Sequence, residues 1–183
     1  WQVEWTHGLL VEYYTRAVAL VRSHSASALV VFNVLYYRDF PLGFGNWWSG
    51  YLSQPNVVLD LHLYDCYGNS SRKSLAEHVA QAATWANAIE RFAARGHAVM
   101  VGEWSLATGL RYGGQIWADA QLAAFARGSS IGWYFWSLKT EGHGPNDEGG
   151  YAWSLRGAYR SGISLTPPSP TAEHPVALPI VVR

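Results

Sequence analysis

NVVLDLHLY at residues 56–64, a helical stripe from Ser74 to about Arg95, and HAVMVGEWS at residues 97–105 decide the fold of this chain. The first and last segments are apolar, β-branched runs of strand length, the signature of strands covered on both faces. Between them Leu75, Val79, Ala82, Ala83, Ala86, Ile89 and Phe92 recur at helical spacing, and Gly96 supplies a stop signal. Strand, helix, strand in this order predicts a βαβ crossover and so a parallel sheet. The same alternation extends in both directions. ALVVFNVLYY, residues 28–37, reads as a strand after an amphipathic helix from Gly8 to about His24. SIGWYFWSL, residues 130–138, reads as a strand after a helix over roughly Gln115 to Arg127. A Gly/Pro/Trp-rich loop from Arg38 to Trp48 and a short helical stretch separate the first two strands, and Asn69-Ser70-Ser71 has loop chemistry. The Gly-rich stretch Glu141–Gly150 reads as a loop, and Tyr151–Tyr159 as a short segment after it.

Four strands are visible, spaced by about 30 to 40 residues; a closed (β/α)₈ barrel takes about 250 residues, so if this is barrel sequence it is about half of one. The expected organisation is one unit over residues 1–164 and a Pro-rich tail over 165–183, mobile or draped on the surface. Composition narrows the function. Thirteen Lys and Arg balance thirteen Asp and Glu, and only 14% of the 183 residues are charged, so no cationic surplus exists to neutralise a nucleic acid. No apolar run reaches the roughly 18 residues of a membrane span. A single cysteine, Cys66, cannot form a disulfide within the chain. Ten Trp and eleven Tyr exceed what an ordinary core needs, and flat aromatic rings suit either a core or the apolar faces of sugars.

Several motifs are decoys. Gly128-Ser129-Ser130-Ile131-Gly132 has the spacing of a nucleophile elbow, but it lies between a helix and a strand, the reverse of the order an elbow needs. The seven His are scattered, Glu77-His78 lacks a second His at helical spacing, and Asn146-Asp147-Glu148 is too short of ligands for a calcium loop, so no metal or other cofactor is expected. Asn69-Ser70-Ser71 fits an N-glycosylation acceptor, significant only in a secreted protein.

The chemistry concentrates at strand ends. Glu103 terminates an apolar strand beside Gly102 and Trp104, and a buried lone carboxylate is costly unless paired or used. Barrel enzymes place catalytic groups at the C-terminal ends of their strands. Asp60, His62 and Tyr64 alternate with Leu59, Leu61 and Leu63, which puts the three polar groups on one face. Trp136 ends the last strand, and Lys139 with Glu141 reads as an ordinary ion pair.

NVVLDLHLYDCY, VMVGEWS and GWYFWSLKTE, in this order and at these separations, resemble the C-terminal half of the glycoside hydrolase family 5 exo-1,3-β-glucanases of fungi and oomycetes. The similarity extends through VVFNVLYY and Tyr151-Ala152-Trp153-Ser154-Leu155, covering about residues 8–160. It implies that the four strands are barrel strands five to eight. It implies further that Glu103 is the catalytic nucleophile, that His62 and Tyr64 line a glucose subsite and position it, that Trp136 is an aromatic platform, and that Tyr67 is an entrance aromatic. Asn33 and Trp104 are grouped with them as substrate-binding. The implied substrate is a β-glucan oligo- or polysaccharide, and the implied location is extracellular or in the cell wall.

Two local departures bear on subsite shape: Phe32-Asn33 stands where the family commonly has a His-Asp-type pair, and Gly109-Leu110 where an Asp-Cys pair is common. The family's acid/base Glu lies in an Asn-Glu-Pro that this sequence does not contain. Family spacing puts it just before Trp1, so the expectation is a chain lacking its N-terminal half-barrel and its acid. Another family 5 β-glucanase or β-glucosidase, a noncatalytic carbohydrate-binding half-barrel and an incomplete gene product are the alternatives.

Overall fold

A computed structural model describes residues 2–33, 54–127, 130–140 and 150–166. In chain order these form α1 (Gln2–His24), β1 (Val30–Asn33), β2 (Val57–Leu63), a 3₁₀ turn (Gly68–Arg72), α2 (Leu75–Ala94), β3 (Ala98–Trp104), α3 (Gly114–Phe125), β4 (Ser130–Phe135) and α4 (Leu155–Arg160). The strands make one sheet in the order β1-β2-β3-β4, and every neighbouring pair is parallel. With α2 and α3 as crossovers this is an α/β fold, a partial (β/α) barrel.

The expected βαβ unit forms for local reasons. Ser74 caps α2 by accepting from the Glu77 amide, while the Glu77 carboxylate accepts from the Ser74 amide, a reciprocal capping box. Gly96, at φ 78°, makes the turn out of that helix that a side-chain-bearing residue would resist. The apolar stripe of α2, including Ala82, Trp85, Ile89 and Phe92, is buried with Leu59, Leu61, Val99 and Val101 of the sheet and Trp117 and Leu122 of α3. Rings join the two helices: Trp117 stands 5.8 Å from Trp85 and 5.5 Å from His78. This apolar layer holds the sheet from behind and leaves the strand ends to carry polar groups.

The boundaries depart from expectation in identifiable ways. α1 begins at Gln2, ahead of Gly8, because one interior glycine costs a helix only about 1 kcal/mol. β4 stops at Phe135 rather than Leu138 because the chain changes partners: the Ser137 amide donates to Trp153 O, and Leu155 and Arg156 donate back to Ser137 O and Leu138 O. The Asn69-Ser70-Ser71 loop is wound into the 3₁₀ turn, where Ser71 Oγ donates to Gly68 O. Leu165, expected in the loose tail, is buried in the core. The expected helical stretch after Trp48 through residue 53, residues 141–149 of the expected loop, with the Glu141 partner of Lys139, and the tail from residue 167 onward lie outside the described residues.

Candidate active site

The site grows from the period-two alternation of β2. Leu59, Leu61 and Leu63 are buried against the helices, while Asp60 and His62 are half-buried on the opposite face. Parallel pairing sets Asn33 beside Asp60 and His62 beside Glu103, so the polar residues of three strands meet at their C-terminal ends. Tyr14 of α1 tightens this rim: its hydroxyl donates to Asn33 O at 2.6 Å and accepts from the Asn33 amide at 3.1 Å.

Glu103, His62, Tyr64 and Tyr67 line one cavity of about 380 Å³. The Tyr64 hydroxyl donates to Glu103 Oε2 at 2.8 Å. His62 Nδ1 lies 3.4 Å from the same oxygen, and its Nε2 lies 3.1 Å from Asp60 Oδ2. Burial pushes the Tyr64 phenol far above its ordinary range, and its hydrogen bond to Glu103 and that carboxylate's charge push it further. Tyr64 is therefore a neutral, permanent donor to Glu103. For His62, burial alone would lower the pKa, but the hydrogen bond to Asp60 and the charges of Asp60 and Glu103 together outweigh it and raise it. Both ring nitrogens face carboxylate oxygens, which offer only lone pairs, so the imidazolium is the form that suits this geometry.

The sequence-derived residues sort into three groups. Glu103, His62, Tyr64 and Tyr67 are brought together around one cavity. Asn33 and Trp136 occupy neighbouring strand ends without lining this cavity: Asn33 Nδ2 donates to Asp60 O at 3.3 Å, and Trp136, 53% exposed, follows β4. Trp104 is a correction. It is 0% exposed and packed edge-on against Phe125, Trp133 and Phe135, so no substrate reaches it. The physical reason is the extra residue at Gly102, which breaks the strand period: it turns Glu103 to the cavity face and returns Trp104 to the buried face that Val99 and Val101 share.

Sequence reading missed Trp153. Its ring lies 5.6 Å from Tyr64 and 6.4 Å from Tyr67, extending the aromatic wall beside the carboxylate. It arrives there because the segment after residue 150 crosses the ends of β3 and β4, with the Leu106 amide donating to Ala152 O. The pattern Tyr-Ala-Trp-Ser-Leu was visible, but nothing local ties it to Tyr64.

A carboxylate held by a phenol and an imidazole at the end of a parallel strand, walled by aromatic rings, can act as a nucleophile or electrostatic stabiliser toward a sugar. No helix among the described residues is long and apolar enough to cross a membrane. The probable glucan 1,3-beta-glucosidase A of Emericella nidulans is 26% identical over an alignment of 176 residues that takes in 73% of this chain and 41% of that relative. The chain thus spans about two fifths of the length of the curated relative it matches. The family model described as Cellulase (glycosyl hydrolase family 5) matches residues 1–142. With most of its length matched by that model and its polar residues gathered at the ends of parallel strands, the chain belongs to glycosyl hydrolase family 5.

Proposed function

We propose that the site belongs to a retaining glycoside hydrolase that releases glucose from the nonreducing ends of β-1,3-glucan. The observation that carries this reading is Glu103 Oε2 held by the Tyr64 hydroxyl at 2.8 Å on the wall of the cavity. The relative named a glucan 1,3-beta-glucosidase supports the linkage. In the retaining reaction a carboxylate attacks the anomeric carbon as the glycosidic C–O bond breaks, and a second carboxyl group protonates the departing oxygen. The same group then takes a proton from water, which displaces the sugar from the enzyme.

Glu103 is the nucleophile in this scheme. The neutral Tyr64 fixes the oxygen it shares with Glu103, and His62 offers its second N–H to that oxygen or to a sugar hydroxyl. Tyr67 and Trp153 flank the sugar, and Trp136 serves as a platform at the next strand end. The acid must stand about 5 to 5.5 Å from Glu103. Asp60 is occupied by a backbone amide and by His62, so the acid is assigned to a residue outside those described. No cofactor takes part, and location outside the cell or in its wall follows from the family resemblance alone.

The test uses the full-length protein. A 2-deoxy-2-fluoro-β-glucoside should leave a covalent glycosyl adduct on Glu103, detected by mass spectrometry of a digest. Proton NMR should show β-glucose released first from laminarin, and Glu103→Gln should abolish turnover while binding persists. Release of α-glucose, or an adduct on another residue, overturns the assignment. The description of the matching family model favours a second reading, a β-1,4-glucanase. Faster hydrolysis of carboxymethylcellulose than of laminarin would select it.

A further inference from the structure

The pairing of β2 with β3 contains an irregularity at the point where the chemistry sits. Leu61 lies opposite Val101 and His62 opposite Glu103, so Gly102 is an extra residue on β3. A bulge of this kind frees one residue from the ladder and re-aims its neighbour. The freed Gly102 amide donates to Asp60 Oδ1 at 2.8 Å. Gly102 has no left-handed φ, so the glycine is not needed for backbone freedom. It is needed for space: a Cβ built there would collide with Asp60 Oδ1 and stand 2.6 Å from its Cγ. The other carboxylate oxygen, Oδ2, meets His62 Nε2 at 3.1 Å, and the far side of that ring faces Glu103.

Asp60 therefore touches both neighbours of the nucleophile, the residue before it in the chain and the ring beside it. We propose that Asp60 is a positioning residue for Glu103: seated in the space Gly102 leaves empty, its carboxylate holds both the bulge that aims Glu103 and the imidazole that faces it. The role in turnover rests on Glu103 being the nucleophile; the hold on His62 does not. Among the described residues, the charged and titratable groups around His62 are Asp60 on its own strand, Glu103 on β3 and the Tyr64 hydroxyl bonded to Glu103, and the charge of Asp60 also reaches Tyr14 of α1. β1 contributes the uncharged amide of Asn33.

Asp60→Asn, Gly102→Ala and the double variant, each in the full-length protein, test this. Two quantities are read: the titration of the isotope-labelled His62 ring by NMR, and kcat with KM on laminari-oligosaccharides. Asp60→Asn should lower the His62 pKa, because burial still disfavours its charge while one of the two carboxylates opposing that effect is gone. Gly102→Ala should do the same without removing any charge, by evicting the Asp60 side chain. Each should cut kcat by about 10²-fold, the usual consequence of misplacing a reacting group by roughly 1 Å. The double variant should be no worse than the more severe single one, since both break one contact.

His62 titrating as in the wild type in Asp60→Asn, or losses that multiply in the double variant, would overturn the proposal. Gly102→Ala decides the same question if Asp60→Asn does not fold. If the wild type neither turns over glucan nor forms a glycosyl adduct, the glycosidase reading falls, and the His62 titration still decides whether Asp60 holds the ring.

Discussion

Trp104→Ala removes an indole that is 0% exposed and stands 5.3, 5.2 and 5.0 Å, edge-on, from the rings of Phe125, Trp133 and Phe135. Truncating a buried Trp to Ala costs about 3 to 5 kcal/mol, and the upper end applies where neighbours cannot collapse into the space. Three rings contributed by α3 and β4 pack against this one, so collapse is limited. One effect works the other way. Trp104 Nε1 has no hydrogen-bond partner among the described residues, and removing a buried unpaired donor returns about 1 kcal/mol or more.

The expected net loss is about 3 to 4 kcal/mol, which for a chain of this size lowers Tm by about 6 to 16 °C. Trp104→Phe keeps most of the packing and deletes the unpaired N–H, so it should stay within about 1 kcal/mol of the wild type. Thermal unfolding followed by circular dichroism measures both, and glucan titration at a temperature where every variant is folded measures capture. Trp104→Ala should bind glucan normally while folded. A variant that melts within 2 °C of the wild type yet binds glucan more than about tenfold (1.4 kcal/mol) weaker would refute the burial argument.

Trp136→Ala should give the opposite pair of results, a Tm within a few degrees of the wild type and weaker glucan capture, because its ring is half exposed at the end of β4; a large fall in Tm with normal capture would make it a core residue. Tyr64→Phe deletes a hydrogen bond to a carboxylate worth about 1.5 to 3 kcal/mol, so kcat/KM should drop roughly 10- to 100-fold, and an unchanged kcat/KM would show that the bond is not used. Asp65 is a buried carboxylate accepting from Lys73 Nζ at 2.7 Å and facing His78 Nδ1 at 2.8 Å, so Asp65→Asn should destabilise by about 3 kcal/mol in urea titrations, with an unshifted midpoint counting against it. The raised pKa of His62 makes its contribution to stability complete below about pH 6.5, its unfolded value, and lost as pH rises through the folded value. Denaturation midpoints should fall across that window in the wild type, and a His62→Asn variant should lose that part of the slope.

The parallel α/β architecture, the four strand positions and the helix between β2 and β3 were legible in the residues because each depends on neighbours a few positions apart. Alternation along NVVLDLHLY sets faces, helical spacing from Leu75 to Phe92 sets a stripe, and Gly96 sets its end. Glu103 stood out because a carboxylate ending an apolar strand is costly without a use. The burial of Trp104 was not within reach of the same alternation, which would set it on the face opposite to that of Val99 and Val101; the extra residue at Gly102 returns it to their face. What joins the site depends on contacts between residues far apart in the chain. Tyr64 reaches Glu103 across 39 residues, Asp60 reaches the Gly102 amide across 42, and Trp153 approaches Tyr64 from the far side of β4. No local pattern specifies these meetings. Strand order, the register of β2 on β3 and the extra residue at Gly102 bring them about, and those are properties of the assembled sheet, in which hydrogen-bond partners and side-chain volumes must be satisfied together.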